Sequence, residues 1–404
     1  MNSRALGMGQ ALRCSECAVR FTGRGLSFPQ RTFSSSTIRQ RHGAIPSFTE
    51  VSSPELQDLL TRIRERIFLP AHVNKSQRKL IFSPKHAKSL EVEPAIANIA
   101  GEDFRLRHLE LTRDVPSRRT AVLNALRLMK EKRDWDNLPN LLGGLKNAGC
   151  QHGPQVRLAV VGKAGKAGRQ DTVLECLRRA EFTGLTLQHL EMAIQVLYWM
   201  AQKAVAADWD AQETKKALAW AEMVRDMMEE PKHKVMPKRD IPEYFGTSKD
   251  QPEVPGILLQ LAAVRATQTG KDEGGKVERY AKELLGAPKG FQEVGKGVGK
   301  EAGKDTTQKV HTSHPTFWLS THAMVLHGIK VALPLLDAES KVGAGLKAKY
   351  EELEPLVLAV RDQLVAEQET KGKPSHSVEV YEKLLGPGSK ALRSGSSEET
   401  TSNV

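Results

Sequence analysis

Apolar residues recur at intervals of three and four along most of the chain, which is the spacing of amphipathic helices. The first such stripe predicts a helix over residues 54–67, with Leu56, Leu59, Leu60, Ile63 and Ile67 on one face. Two short helical runs are predicted at 94–99 and 104–111. From Arg118 to about Met228, short helical stretches alternate with Gly, Asn or Asp. That alternation is typical of helical hairpins.

The second half of the chain continues the helical pattern. Helices are predicted at 254–267, 276–285, 315–336, 346–371 and 377–385, the fourth of them kinked or split at Pro355. Long alternations of β-branched or aromatic residues are absent, and aromatic residues make up 5% of the chain. We therefore predict an all-α fold, with a helical-hairpin repeat core that resembles an α-solenoid, additional C-terminal helices and disordered termini.

Composition shifts divide the predicted helices into segments. The predicted segments are an N-terminal presequence and disordered region (1–49), a helical-repeat domain (50–285), a flexible Gly/Lys loop (286–313), C-terminal helices (314–385) and a disordered Gly/Ser/Glu-rich tail (386–404).

Two neighbouring hairpins align with each other when the chain is shifted by 35 residues. The segment 123–150 falls on 158–185, so that Gly149 matches Gly184 and Asp136 matches Asp171. The unit resembles the pentatricopeptide repeat, a helical hairpin of this length. The run Lys166-Ala167-Gly168-Arg169 matches the turn between that repeat's helices, and Gly184 matches its glycine after the second helix. The resemblance extends over roughly 70 residues, or about 110 with a degenerate third unit.

The resemblance implies stacked hairpins whose first helices line a concave surface. Cations on these helices are the candidate contacts for an RNA backbone: Arg127, Lys130, Lys163, Lys166 and Arg169. The alternative is an ordinary solvated helix face. The positions that read bases in the family hold Leu123 with Gly153, and Leu158 with Gln188, which are not suitable pairs. We therefore expect general backbone binding or protein binding rather than base-by-base recognition.

The first 49 residues are rich in arginine and serine and contain one acid, Glu16. This composition is typical of a mitochondrial presequence. The run from Arg31 through Phe33 and Ser34 resembles the site cut by mitochondrial processing peptidases, so cleavage is predicted there. We accordingly predict a mitochondrial protein of the matrix, with a peripheral association with the inner membrane left open.

The formal net charge of +12 suits an anionic partner such as RNA, a ribosome or a cardiolipin-rich membrane. Cleavage after residue 33 would remove five arginines and Glu16, which leaves 12 − 4, or +8. No segment has the roughly 18 uninterrupted apolar residues of a transmembrane helix.

The candidate motifs for catalysis or metal binding each lack a residue that the chemistry requires. The run from Gly290 to Lys296 matches most of a phosphate-binding loop, but Gly297 stands where the Ser or Thr ligand of magnesium is needed. Four histidines between 311 and 327 lack cysteine or carboxylate partners at ligand spacing, and Cys150 and Cys176 are too few for a zinc site. We predict no enzyme activity, cofactor or metal.

Two functions follow from these features. The first is a mitochondrial gene-expression factor, a helical-repeat protein that binds mitochondrial RNA or the mitochondrial ribosome. The second is a protein-binding scaffold, for example an assembly factor for a respiratory-chain complex.

Overall fold

The computed structural model describes residues 44–150, 152–234, 251–287, 291, 314–372 and 375–386. Three sequence predictions lie wholly or mainly outside these residues. They are the presequence with its cleavage region at Arg31, Phe33 and Ser34, the Gly/Lys loop apart from 286–287 and 291, and the tail after residue 386.

The described chain begins with an N-terminal lobe of short helices. These are α1 (Pro54–Ile63), α2 (Leu69–His72), α3 (Lys75–Phe82) and α4 (Ala87–Val92), with a π-helical turn over Arg64–Phe68 and a 3-10 turn over Pro84–His86. The predicted helix at 54–67 is therefore confirmed, except that its last turn widens into the π-helical turn. Pro70 follows in α2 and has no N–H with which to continue an ordinary α-helical ladder.

The predicted helical runs after α4 are wrong. The stretch forms an antiparallel hairpin of β1 (Ile96–Ile99) and β2 (Glu102–Arg105). Its two-residue turn has positive φ at both positions, 51° at Ala100 and 89° at Gly101, as a tight hairpin of the usual twist requires. Side chains of β1 alternate between exposed and buried, which is the period of a strand.

Helix pairs make up the rest of the described chain. Their members are α5 (Arg118–Leu128), α6 (Lys132–Trp135), α7 (Leu138–Asn147), α8 (Pro154–Lys166), α9 (Gln170–Arg178), α10 (Ala180–Thr183), α11 (Leu190–Ala206), α12 (Ala211–Met227), α13 (Glu253–Thr269), α14 (Lys276–Leu285), α15 (Pro315–Ala332), α16 (Lys341–Lys371) and α17 (His376–Leu385). Two 3-10 turns, Pro231–His233 and Leu333–Leu335, follow α12 and α15. The all-α prediction is confirmed, with one two-stranded sheet added.

Consecutive pairs pack against one another in chain order. The first helices make contacts in the series α5, α8, α11, α13, α15 and α17, while α7 contacts α9 and α14 contacts α16. One hydrophobic core runs through all of them, from Ile45 to Leu384. The helices after residue 314 therefore continue the same core, because α15 packs directly on α13.

Two details of the helix pairs bear on the predicted pattern. Gly149 and Gly184, which match at the 35-residue shift, both end a helical unit with positive φ, 75° and 74°. This is the left-handed conformation that glycine adopts without strain.

In α16 the helix continues through Pro355 rather than splitting, with Leu353 and Val357 fully buried on either side. Burial on both sides of the proline outweighs its missing hydrogen bond.

Candidate nucleic-acid interface

The predicted RNA-binding cations lie on or just after the first helices of two neighbouring pairs. Arg127 is on α5 with Lys130 just beyond it, and Lys163 and Lys166 are on α8. These four side chains are exposed. The two helices contact each other, and each has buried apolar residues, such as Val122 of α5 and Val160 of α8. The amphipathic pattern thus leaves the cations pointing away from the core.

Arg169 differs from the other four. Its guanidinium Nη2 lies 2.5 Å from Asp171 Oδ2 and 4.0 Å from Asp136 Oδ1, and its side chain is 17% exposed. Asp136 and Asp171 are the matched acids of the two 35-residue units. Arg169 therefore joins one hairpin to the next, and its charge is largely matched by carboxylates of the chain itself. Within the described residues, Lys163 and Lys166 make no ion pair.

Lys166 also borders a cleft of about 610 Å³. Its other walls come from α11, α15, the C-terminal end of α16 and the N-terminal end of α17. The lining residues include Gln195, Tyr198, Trp199, Phe317, Ser320, Leu364, Gln368 and His376. The cleft therefore gathers side chains that are more than 200 positions apart in the sequence. Of these lining residues, only Lys166 is among the site residues predicted from the sequence.

Aromatic packing forms the floor of the cleft. Tyr198 meets Trp199 and Phe317 edge-to-face, with ring centroids 5.1 and 6.0 Å apart. Trp199 in turn packs on Gly165 of α8, where a Cβ atom would collide with the indole ring. Bulk at position 165 is therefore excluded, and the indole can lie flat against the α8 backbone.

Several polar side chains at the cleft are buried. Burial raises the pKa of Tyr198 to about 12, although a hydrogen bond with Ser320 opposes this, so the phenol stays neutral. Its hydroxyl lies 3.5 Å from Nε2 of His376. Among the described residues, the indole Nε1 of Trp199 and Oε1 of Gln195 are buried without a hydrogen-bond partner. A donor and an acceptor thus stand unsatisfied in residues that line the cleft.

Metal and thiol chemistry find no support in the described residues. Within them, no group of three or more His, Cys, Asp or Glu residues is arranged to hold a metal ion. His311 lies outside the described chain, and His322 and His327 are buried in α15. Cys150 and Cys176 are buried free thiols, and burial raises the pKa of both. Both thiols therefore remain protonated at neutral pH and are poor nucleophiles.

No helix in the described part of the chain is both long and apolar enough to cross a bilayer.

A second set of cations lies outside the predicted site, in the N-terminal lobe. They are Lys75, Arg78, Lys79, Lys85 and Lys88, and all five are exposed. The sequence carries a signal for them, since residues 74–90 contain no Asp or Glu.

Comparison with known proteins gives two matches. The family model described as mitochondrial ribosomal protein mS27 matches residues 31–383. The small ribosomal subunit protein mS27 of Neurospora crassa is 32% identical over 199 residues, which is 49% of this chain and 50% of the relative. The chain thus spans about half the length of the curated relative that it matches.

Proposed function

The chain belongs to the mitochondrial ribosomal protein mS27 family, and we propose on that premise that it is a non-catalytic component of the small subunit of the mitochondrial ribosome. The observation that carries the proposal is the extent of the family match. Residues 31–383 include every described helix from α1 to α16 and most of α17. The whole stack of helix pairs, rather than one hairpin, is therefore the family feature. The Neurospora relative is named as a small-subunit protein, which supports the choice of subunit.

Within this function, we propose that four cations on or just after the first helices contact the RNA backbone. We call them the repeat cations: Arg127, Lys130, Lys163 and Lys166. All four are exposed and free to meet phosphates. Arg169 takes a different part, because its pairing with Asp171 and Asp136 holds two hairpins together. Contacts of this kind depend on charge and position and carry no base sequence.

The resemblance to the pentatricopeptide repeat and the matrix location are parts of the same proposal. Support for the repeat comes from the equivalent left-handed glycines Gly149 and Gly184 and from the succession of contacts between first helices. Support for the matrix comes from the composition of residues 1–49, which is typical of a presequence.

Sedimentation of mitochondrial lysate tests the function. The tagged full-length chain should migrate with the small subunit in a sucrose gradient, and it should stay with that subunit when chelation of magnesium separates the two subunits. Affinity purification should recover small-subunit proteins and RNA, and ribonuclease should reduce the recovery.

The opposite pattern would support an assembly factor for a respiratory-chain complex. In that case the chain would migrate away from ribosomal particles, and purification would recover inner-membrane subunits equally with and without ribonuclease. Replacement of the four repeat cations by glutamine should weaken retention on the subunit in a salt wash. A control with Lys215, Lys271, Lys341 and Lys347 replaced by glutamine should be retained as well as the natural chain, since these lysines are exposed and lie outside α5 and α8.

A further inference from the structure

The N-terminal lobe carries a surface of positive charge that the chain itself does not neutralise. We define the basic face as Lys75, Arg78, Lys79, Lys85 and Lys88. All five side chains are exposed, and none makes an ion pair with the residues that the structure describes. Because no Asp or Glu occurs between residues 74 and 90, the local charge is +5.

Local structure fixes the direction in which these side chains point. Asn74 and Gln77 form a reciprocal capping box that starts α3, with Asn74 Oδ1 accepting from the Gln77 N–H at 2.8 Å. Ile81 near the end of α3 is fully buried, and Leu90 of α4 is buried as well. With these apolar residues facing the core, the cations at three- and four-residue spacing lie on the solvent side.

The segment after β2 is bound directly to the end of α3. The Leu109 N–H donates to the carbonyl of Ile81 at 2.9 Å, and Nδ1 of His108 lies 2.9 Å from the same oxygen. This junction joins the segment that contains Arg107 to α3, which carries three of the five cations. Arg107 is also exposed and makes no ion pair within the described residues.

We propose that the basic face binds the sugar–phosphate backbone of RNA, as a contact separate from the repeat cations. Exposed cations that repel one another cost the free chain stability, and a polyanion removes that cost while its own counterions are released. The one Phe, Tyr or Trp of residues 74–90 is Phe82, which is half-buried, so no exposed ring is available to stack on bases. The contact therefore reads charge and shape rather than sequence.

Binding to a fluorescein-labelled RNA duplex of 30 base pairs and mixed sequence tests this proposal. Fluorescence anisotropy with the purified full-length chain is measured at several salt concentrations between 50 and 200 mM. In the test variant, Lys75, Lys79, Lys85 and Lys88 are replaced by glutamine. In the matched control, the same change is made at Lys215, Lys271, Lys341 and Lys347. A third variant carries glutamine at the four repeat cations, and circular dichroism checks that all three are folded.

The test variant should bind at least tenfold more weakly at 50 mM salt, and the slope of log affinity against log salt should fall by about three to four. The control should stay within about twofold, because exposed charges that do not touch the RNA are screened by salt and release no counterions from it. Unchanged affinity and slope in the test variant would overturn the proposal. So would a loss of binding confined to the third variant, since the repeat cations would then be the RNA contact.

This inference rests on the proposed function only for the identity of the RNA, and the two can fail separately. If the natural chain migrates with the small subunit but does not bind the duplex, the basic face is not an RNA contact and the ribosomal function stands. If the duplex binds through the basic face but the chain migrates elsewhere in mitochondrial lysate, the ribosomal function fails and the contact stands.

Discussion

The basic face and the helix pairs after Arg118 use charge in opposite ways. Several cations of the helix pairs lie against carboxylates of neighbouring helices. Examples are Arg225 with Glu283 at 2.7 Å, Lys276 with Glu222 at 2.7 Å and Lys203 with Glu213 at 3.1 Å. In the basic face, no described carboxylate serves this purpose. The comparison teaches that the paired cations of the helix pairs join helices, whereas the cations of the basic face, like the four exposed cations on or just after α5 and α8, have no carboxylate partner among the described residues and are available to a binding partner.

The largest predicted effect concerns Asp134, which connects the N-terminal segment to the first helix pair. Its buried carboxylate accepts hydrogen bonds from N–H and Oγ of Ser52, both at 2.7 Å, and from the N–H groups of Lys130 and Glu131 at 2.9 Å. Asp134→Ala should lower the free energy of unfolding by about 2–4 kcal/mol, because four partly buried hydrogen bonds lose their buried acceptor. Urea unfolding at pH 7 measures this.

The exposed Asp226 of α12 provides the control, and Asp226→Ala should change stability by less than about 0.5 kcal/mol. Burial opposes the ionisation of Asp134, but the hydrogen bonds from Ser52, Lys130 and Glu131 outweigh it and lower its pKa. The stability that the carboxylate supplies is therefore present above the unfolded pKa near 4, and it is lost as the pH falls through the folded pKa. A cost as small as that of Asp226→Ala would contradict the assignment.

The helix periods and the sequence-distant contacts differ in how far the sequence predicts them. Helix α14 occupies the residues that its apolar spacing predicts, because its buried residues, such as Val277 and Tyr280, repeat with the period of a helix. The β1–β2 hairpin was missed because its turn, Ala100-Gly101, lacks the Asn-Gly or Asp-Gly pair that usually marks such a turn. In addition, β1 is only four residues long, and so short a stretch fits a helix as well as a strand.

The candidate site was predictable only as a set of cations. Lys166 and Arg169 look alike in sequence, but only the folded chain brings Asp136 of the preceding hairpin toward Arg169. The cleft beside Lys166 depends on contacts with His376, 210 positions away. Such contacts arise from tertiary packing, about which a single sequence carries no periodic signal. The basic face, by contrast, is visible in the sequence as an acid-free stretch, although it lies outside the predicted repeat.

A second prediction concerns the pH dependence of stability that comes from the buried core of the helix pairs. His327 of α15 is fully buried, with Nδ1 3.1 Å from Nε2 of Gln260 and its ring stacked on Trp209 at 5.4 Å. Burial, helped by the charge of Lys330, lowers its pKa to about 3. The folded state thus needs a neutral imidazole. Its contribution is complete above the unfolded pKa near 6.5 and is lost as the pH falls toward 3.

In the variant His327→Gln, the free energy of unfolding should depend less on pH in the acid range. Between pH 6.5 and 4, the natural chain should lose up to about 1.4 kcal/mol more per pH unit than the variant, or about 2 kcal/mol by pH 5. Urea unfolding of both proteins at half-unit pH intervals measures the difference. Histidines with lowered pKa elsewhere, such as His152 and His233, contribute equally to both curves. Parallel curves from pH 7 to 5 would contradict the prediction.

The smallest predicted effect compares one paired cation with one unpaired cation directly. Arg225 contacts Glu283 and lies over the ring of Tyr280, and its side chain is 20% exposed, so Arg225→Gln should cost about 1 kcal/mol of stability. Lys79→Gln should cost almost nothing or stabilise slightly, since it relieves repulsion from Lys75. Binding to the RNA duplex should reverse this order. Lys79→Gln should weaken binding and lower the salt slope by about one, while Arg225→Gln leaves both unchanged. Equal effects of the two variants in both measurements would mean that the two regions do not use charge differently.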